Sequence, residues 1–121
     1  MSVIASTLGT MAYDEDLADR IRELISAAGP VEEKKMFGGL SFLVGGHMAV
    51  CASGQGGLMV RVAADDLEAL LGRDHVAPMV MGGRASKTWL RVATDGVRTK
   101  RQLEGWVSRG VTVAQSLPPK G

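Results

Sequence analysis

The spacing of apolar residues switches between two periods along this chain. Leu17, Ile21, Leu24, Ile25 and Ala28 fall at i, i+4, i+7, i+8 and i+11, which is one face of an amphipathic helix. Asp14, Glu15 and Asp16 put negative charge in its first turn, where the macrodipole favours it, and Gly29-Pro30 stops it. Short strand-like segments follow at 34–37, 40–44 and 48–52, separated by Gly38-Gly39 and Gly45-Gly46. Gly45-Gly46 between two such runs predicts a two-residue hairpin, because a type I′ turn needs positive φ at both central positions. A looser turn, "SGQGG", leads into "LMVRV", where Leu58, Val60 and Val62 alternate with Met59 and Arg61 as in a half-buried strand.

"ADDLEALLGR" then predicts a short helix, with Asp65 as cap, Glu68 three residues on, Leu67, Leu70 and Leu71 facing inward and Gly72 at its end. After Pro78 come "MVM", the Gly82-Gly83 pair and an alternating strand, "SKTWLRV". Asp95-Gly96 marks a turn. Thr99 and Gln102 form a capping box for a last helix carrying Leu103, Trp106, Val107, Gly110, Val113, Ala114 and Leu117, closed by Pro118-Pro119. The expected order is helix, three strands, helix, about two strands, helix. That is an α+β two-layer sandwich, an antiparallel sheet of about five strands with three helices on one face. The other face is left to water or to a partner.

Composition narrows the class without naming a task. At 121 residues there is one core to build, so 13–119 is expected to form a single domain behind a disordered leader, 1–12. No apolar run approaches the ~20 residues of a membrane span, and the start has neither a basic n-region nor an apolar h-region. A lone Cys51 suits a reducing cytoplasm and excludes an internal disulfide framework. Net charge is +1, but it is segregated. Residues 1–33 hold seven acids against Arg20 and Arg22, whereas 84–101 hold Arg84, Lys87, Arg91, Arg98, Lys100 and Arg101 against Asp95.

The glycines do not make a phosphate loop. No Gly-x-x-x-x-Gly-Lys-Ser/Thr occurs, and the Gly54/Gly56 run fails a dinucleotide fingerprint because Met59 stands at the third glycine and a strand follows. They are hairpin and bulge positions. His47 and His75 are far apart and no ligand pair has zinc-like spacing, so neither a metal nor another cofactor is expected. Cys51 lies four residues from His47 on a strand, a thin basis for thiol chemistry, and "MAVCA" suits a small buried hydrophobe. The more informative set is Lys87, Trp89 and Arg91, which share one face of a strand while Leu90 and Val92 take the other. Met59 and Arg61 point the same way from their strand, and Arg84 opens the basic stretch. An indole between cations can stack on a base or pack a partner's side chain.

"MAYDEDLADRIRELI", "EKKMFGGLSFLVGGHMAV", "GLMVRV", "MGGRASKTWLRV" and "LEGWVSRG", in that order, resemble the TfoX N-terminal domain (Sxy-like) family from about Met11 to Lys120. The most specific pieces are Lys35-Met36-Phe37-Gly38-Gly39, and Met81-Gly82-Gly83 followed by Lys87 and Trp89. The resemblance implies a two-layer α+β fold and a bacterial cytoplasmic protein. Founding members regulate natural competence with the cyclic-AMP receptor protein and carry a second, helical domain; this chain is similar to the first domain alone. The family supplies no catalytic residues to carry over.

The expected function is a non-enzymatic, regulatory protein-interaction module whose contact residues are Lys87, Trp89, Arg91, Arg61, Met59 and Arg84. A transcription regulator is a candidate partner, and homodimerisation through a strand edge is a further expectation. The alternatives are direct nucleic-acid binding through 84–101, which the near-neutral charge disfavours, and a small enzyme built on Cys51 and His47.

Overall fold

The computed structural model describes residues 13–36 and 38–118, so the expected leader lies outside the described residues. Helix α1, Glu15–Ile25, starts after Asp14, whose backbone is extended. The Asp14 carboxylate accepts from the backbone N–H groups of Asp16 at 3.0 Å and Leu17 at 3.1 Å, satisfying two donors that the helix cannot. A short 3-10 turn over Ser26–Ala28 follows it, ending at Gly29.

Six strands follow in one fully antiparallel sheet: β1 Val31–Met36, β2 Gly39–Val44, β3 His47–Ala52, β4 Leu58–Arg61, β5 Val76–Met81 and β6 Arg84–Val92. Their spatial order is β1-β2-β3-β4-β6-β5. The class is the expected one, but the sheet has six strands rather than about five, and four rather than three precede the second helix. The expected 34–37 segment overlaps the end of β1, and charge patterning hides the start of that strand at Val31. Glu32, Glu33, Lys34 and Lys35 are all exposed in β1, so the strand shows no alternation. It is an edge strand, and charges there block pairing with another chain. At the opposite edge β5 begins before Pro78, not after it, because an edge strand tolerates a residue without an N–H.

The register sorts side chains by face. Phe42, Val50, Val60 and Leu90 are consecutive cross-strand partners and fully buried beneath the helices. The neighbouring row, Ser41, Cys51, Met59 and Arg91, points to the other side. Gly45 and Gly46, at φ 62° and 83°, join β2 to β3 in the expected hairpin, and Gly82 and Gly83 do the same between β5 and β6.

Helix α2, Leu67–Leu71, is shorter than expected. A 3-10 turn over Ala64–Asp66 precedes it, and Asp65 is not its cap. Helix α3, Lys100–Ser116, has the full capping box: Gln102 N–H donates to Thr99 Oγ1 at 3.1 Å, and Thr99 N–H to Gln102 Oε1 at 2.9 Å. Leu103, Trp106, Val107, Gly110 and Ala114 line its buried face, meeting Leu17, Ile21 and Ile25 of α1 over the sheet. Gly110 sets how closely α3 approaches. A Cβ there would press into the Ala49 carbonyl oxygen and lie 3.0 Å from Val50 Cγ1. Ala49 is the residue left over where Phe42 pairs with Val50 but Leu43 with Met48, so a β-bulge faces the glycine.

Candidate functional site

The face of the sheet away from the helices is not bare. Cys51, Met59 and Met79 form a second buried apolar cluster, with Met48 and Trp89 packed against it and partly exposed. Cross-strand pairing builds it: Cys51 lies opposite Met59, Met59 opposite Arg91, and Arg61 opposite Trp89. No helix residue joins this cluster, so the correction concerns Met59, one of the expected contact residues. Met59 is 3% exposed and forms the floor of the patch, not its surface.

Arginines frame the indole. The Arg61 guanidinium lies over the Trp89 ring, 4.9 Å from its centroid, a cation–π contact. Its Nε donates to the Met48 carbonyl oxygen at 2.6 Å, and burial pushes its pKa below the ordinary guanidinium value. Arg91 donates to Ser53 Oγ at 2.9 Å. Neither guanidinium has a carboxylate partner within ion-pair distance among the described residues. Two half-buried cations beside a half-buried indole therefore keep unspent hydrogen-bonding and Coulombic capacity.

Lys87 is exposed but sits apart from this regular pattern. Leu90 pairs with Pro78 and Ala85 with Val80, so β6 residues 86–89 face a single residue of β5. Arg84 is exposed at the start of β6, beside the Gly82-Gly83 turn. The basic stretch does not gather on one surface. Arg84 and Val92 are the two ends of β6, roughly 25 Å apart at ~3.3 Å per residue, and Arg98 to Arg101 lie beyond the far end. Arg98 is bonded to Asp95, Arg91 belongs to the outer face, and Arg101 is carried by α3.

His47 and Cys51 do not meet as a catalytic pair. His47 Nε2 contacts the Pro118 carbonyl oxygen at 2.6 Å, whereas Cys51 is fully buried with its thiol directed to the Ala52 carbonyl oxygen at 3.6 Å. Burial pushes the Cys51 thiol above its usual pKa, opposed by hydrogen bonding with Ser41 and then by the Arg91 charge. Such a thiol is protonated at neutral pH. Among the described residues no three His, Cys, Asp or Glu side chains gather in a metal-binding group, and no helix is long and apolar enough to cross a membrane. Trp106 is 6% exposed and belongs to the main core.

Met48 and Met79 belong to the patch, and sequence reasoning left them out. For Met48 the bulge at Ala49 hides the signal, because plain alternation puts residue 48 on the face opposite Cys51; for Met79 the slipped β5–β6 register hides it.

A one-sided helical layer over an antiparallel sheet, with a methionine–tryptophan–arginine patch on the reverse, defines a two-layer α+β protein without a visible catalytic constellation among the described residues. The family model for the TfoX N-terminal domain matches residues 23–114, and the chain belongs to that family. No curated protein matches it. The motifs at 35–39, 81–83, 87 and 89 all fall within the matched region.

Proposed function

We propose that this domain is a non-enzymatic, regulatory protein-interaction module that uses the outer face of its sheet. The observation that carries the proposal is Trp89, half-exposed over Cys51, Met59 and Met79 and flanked by Arg61 and Arg91, two guanidiniums without carboxylate partners. Tryptophan and arginine are enriched among the few residues that dominate binding energy at protein interfaces, and methionines adapt to the shape opposite them. The complementary surface presents carboxylates around an apolar side chain. Lys87 and Arg84, both exposed, extend the positive rim. The likeness to competence regulators makes a cytoplasmic transcription regulator the natural partner. Homodimerisation would use β5, whose Val80 is 59% exposed, before the charged β1 edge.

Nucleic-acid binding through 84–101 is the weaker reading, because those bases are divided among a hairpin, the outer face and α3. Affinity capture from the native cytoplasm, with wild type and Trp89→Ala side by side, tests the proposal. A partner held by wild type and lost by the variant supports it. A partner held equally by a folded Trp89→Ala contradicts it.

A further inference from the structure

A second candidate site lies on the helical side, independent of the sheet face. The 73–75 turn after α2 and one face of α3 enclose a cleft of about 560 Å³, within the usual range for small-molecule sites. Arg73, His75, Arg101, Gln102, Trp106 and Arg109 line it, with Asp74 at its wall. Three arginines thus line one space. Arg73 is positioned by its ring contact with Trp106, 4.9 Å from the centroid, and Arg109 by Asp66 at 3.4 Å. Arg101 makes no ion pair among the described residues, and neither does Arg73.

Three local choices around this cleft run against the needs of the fold. Lys100 and Arg101 occupy the first turn of α3, which has no acidic residue, so cations stand where the macrodipole is already positive. Gly105 interrupts the same helix, yet a Cβ there would meet nothing within 4 Å. Gly110 is accounted for by the contact with β3, whereas nothing among the described residues packs against Gly105 at the Cβ position. His75 holds φ at 70°, an uncommon conformation for a residue with a side chain, fixed by the Ala93 N–H donating to its carbonyl oxygen at 2.8 Å. Where local rules fail together around one cavity, a ligand is the economical cause.

We infer that this cleft binds a small, multiply charged oxyanion, the phosphate group of a phosphorylated metabolite. Arginine forks match tetrahedral oxyanions in geometry, and such an anion would offset the unfavourable charge at the start of α3. The missing side chain of Gly105 leaves room for it. Asp74 is the one carboxylate among the lining residues to oppose an anion.

Inorganic pyrophosphate is the probe, titrated calorimetrically into the full chain and, in a Trp89→Phe background, followed by Trp106 fluorescence. Saturable one-to-one binding is expected, with Trp106 emission changing as Arg73 engages the anion. Arg73→Gln and Arg101→Gln should each weaken binding about tenfold, the effect of one charge-assisted hydrogen bond. Gly105→Ala should weaken it too, while keeping or raising the thermal midpoint, which separates cleft filling from misfolding. No saturable binding at millimolar pyrophosphate would overturn the inference, as would binding that survives in a folded Arg73→Gln/Arg101→Gln double variant. Short duplex DNA bound with a steep salt dependence, in the absence of pyrophosphate binding, would also overturn it and assign the arginines to a nucleic-acid backbone.

Discussion

The two faces of the sheet use different chemistry for different ends. The inner face is aliphatic and aromatic, its central row Phe42, Val50, Val60 and Leu90 fully buried under Ile21, Ile25, Leu103 and Trp106. Branched and rigid side chains there give one packing solution. The outer face is built from Met48, Cys51, Met59, Met79 and Trp89, with arginines over them. Methionine adapts to several shapes, and a cation over an indole is held by electrostatics that a partner can replace. Stability resides on the inner side, and the outer side carries the adaptable surface proposed above for recognition.

Substitutions on each side break or sharpen that contrast. Phe42→Ala removes the largest side chain of the inner row and should cost about 3–5 kcal/mol in urea unfolding. Gly110→Ala probes the same face from the helix. Its Cβ meets the Ala49 carbonyl, so overpacking of about 1–3 kcal/mol should outweigh the gain in helix propensity. Across the sheet, Met59→Leu keeps volume in an adaptable cluster and should cost less than about 1.5 kcal/mol by the same assay.

The smallest effect belongs to the β1 edge. Arg22 grips Glu33 through Nε at 2.6 Å and one terminal nitrogen at 2.9 Å, and that hydrogen-bonded pairing holds the Glu33 carboxyl below its usual pKa. A depressed carboxylate contributes stability that is present above the unfolded value of about 4.3 and is lost as pH falls through the lower folded value. The pair is solvent-screened, so Glu33→Gln should cost under about 1 kcal/mol at pH 6 and nothing measurable once pH lies below the folded value. Denaturation curves at both pH values check the sign.

The inner face is legible in the sequence because it is periodic. The i, i+3, i+4 spacing of α1 and the alternation of Leu58, Val60 and Val62 leave little choice of orientation, and Thr99 with Gln102 marks the start of α3 outright. The start of β1 escapes because edge protection replaces alternation with Glu32 to Lys35, and the start of β5 is masked by Pro78. The pairing of Trp89 with Arg61 follows from strand parity, but Met79 joins Met59 through a register slip that parity does not reveal. The cleft at Arg73, Arg101 and Arg109 depends on a turn meeting a helix some 30 residues away in sequence, a contact with no local signature.

Equilibrium unfolding of Trp89→Ala beside wild type tests the division between the faces most directly. A recognition residue outside the main core predicts a single cooperative transition, an unchanged m-value and a loss of about 1 kcal/mol. A loss of about 3–5 kcal/mol, or a chain that no longer folds, would place Trp89 among the residues that hold the protein together and contradict the account.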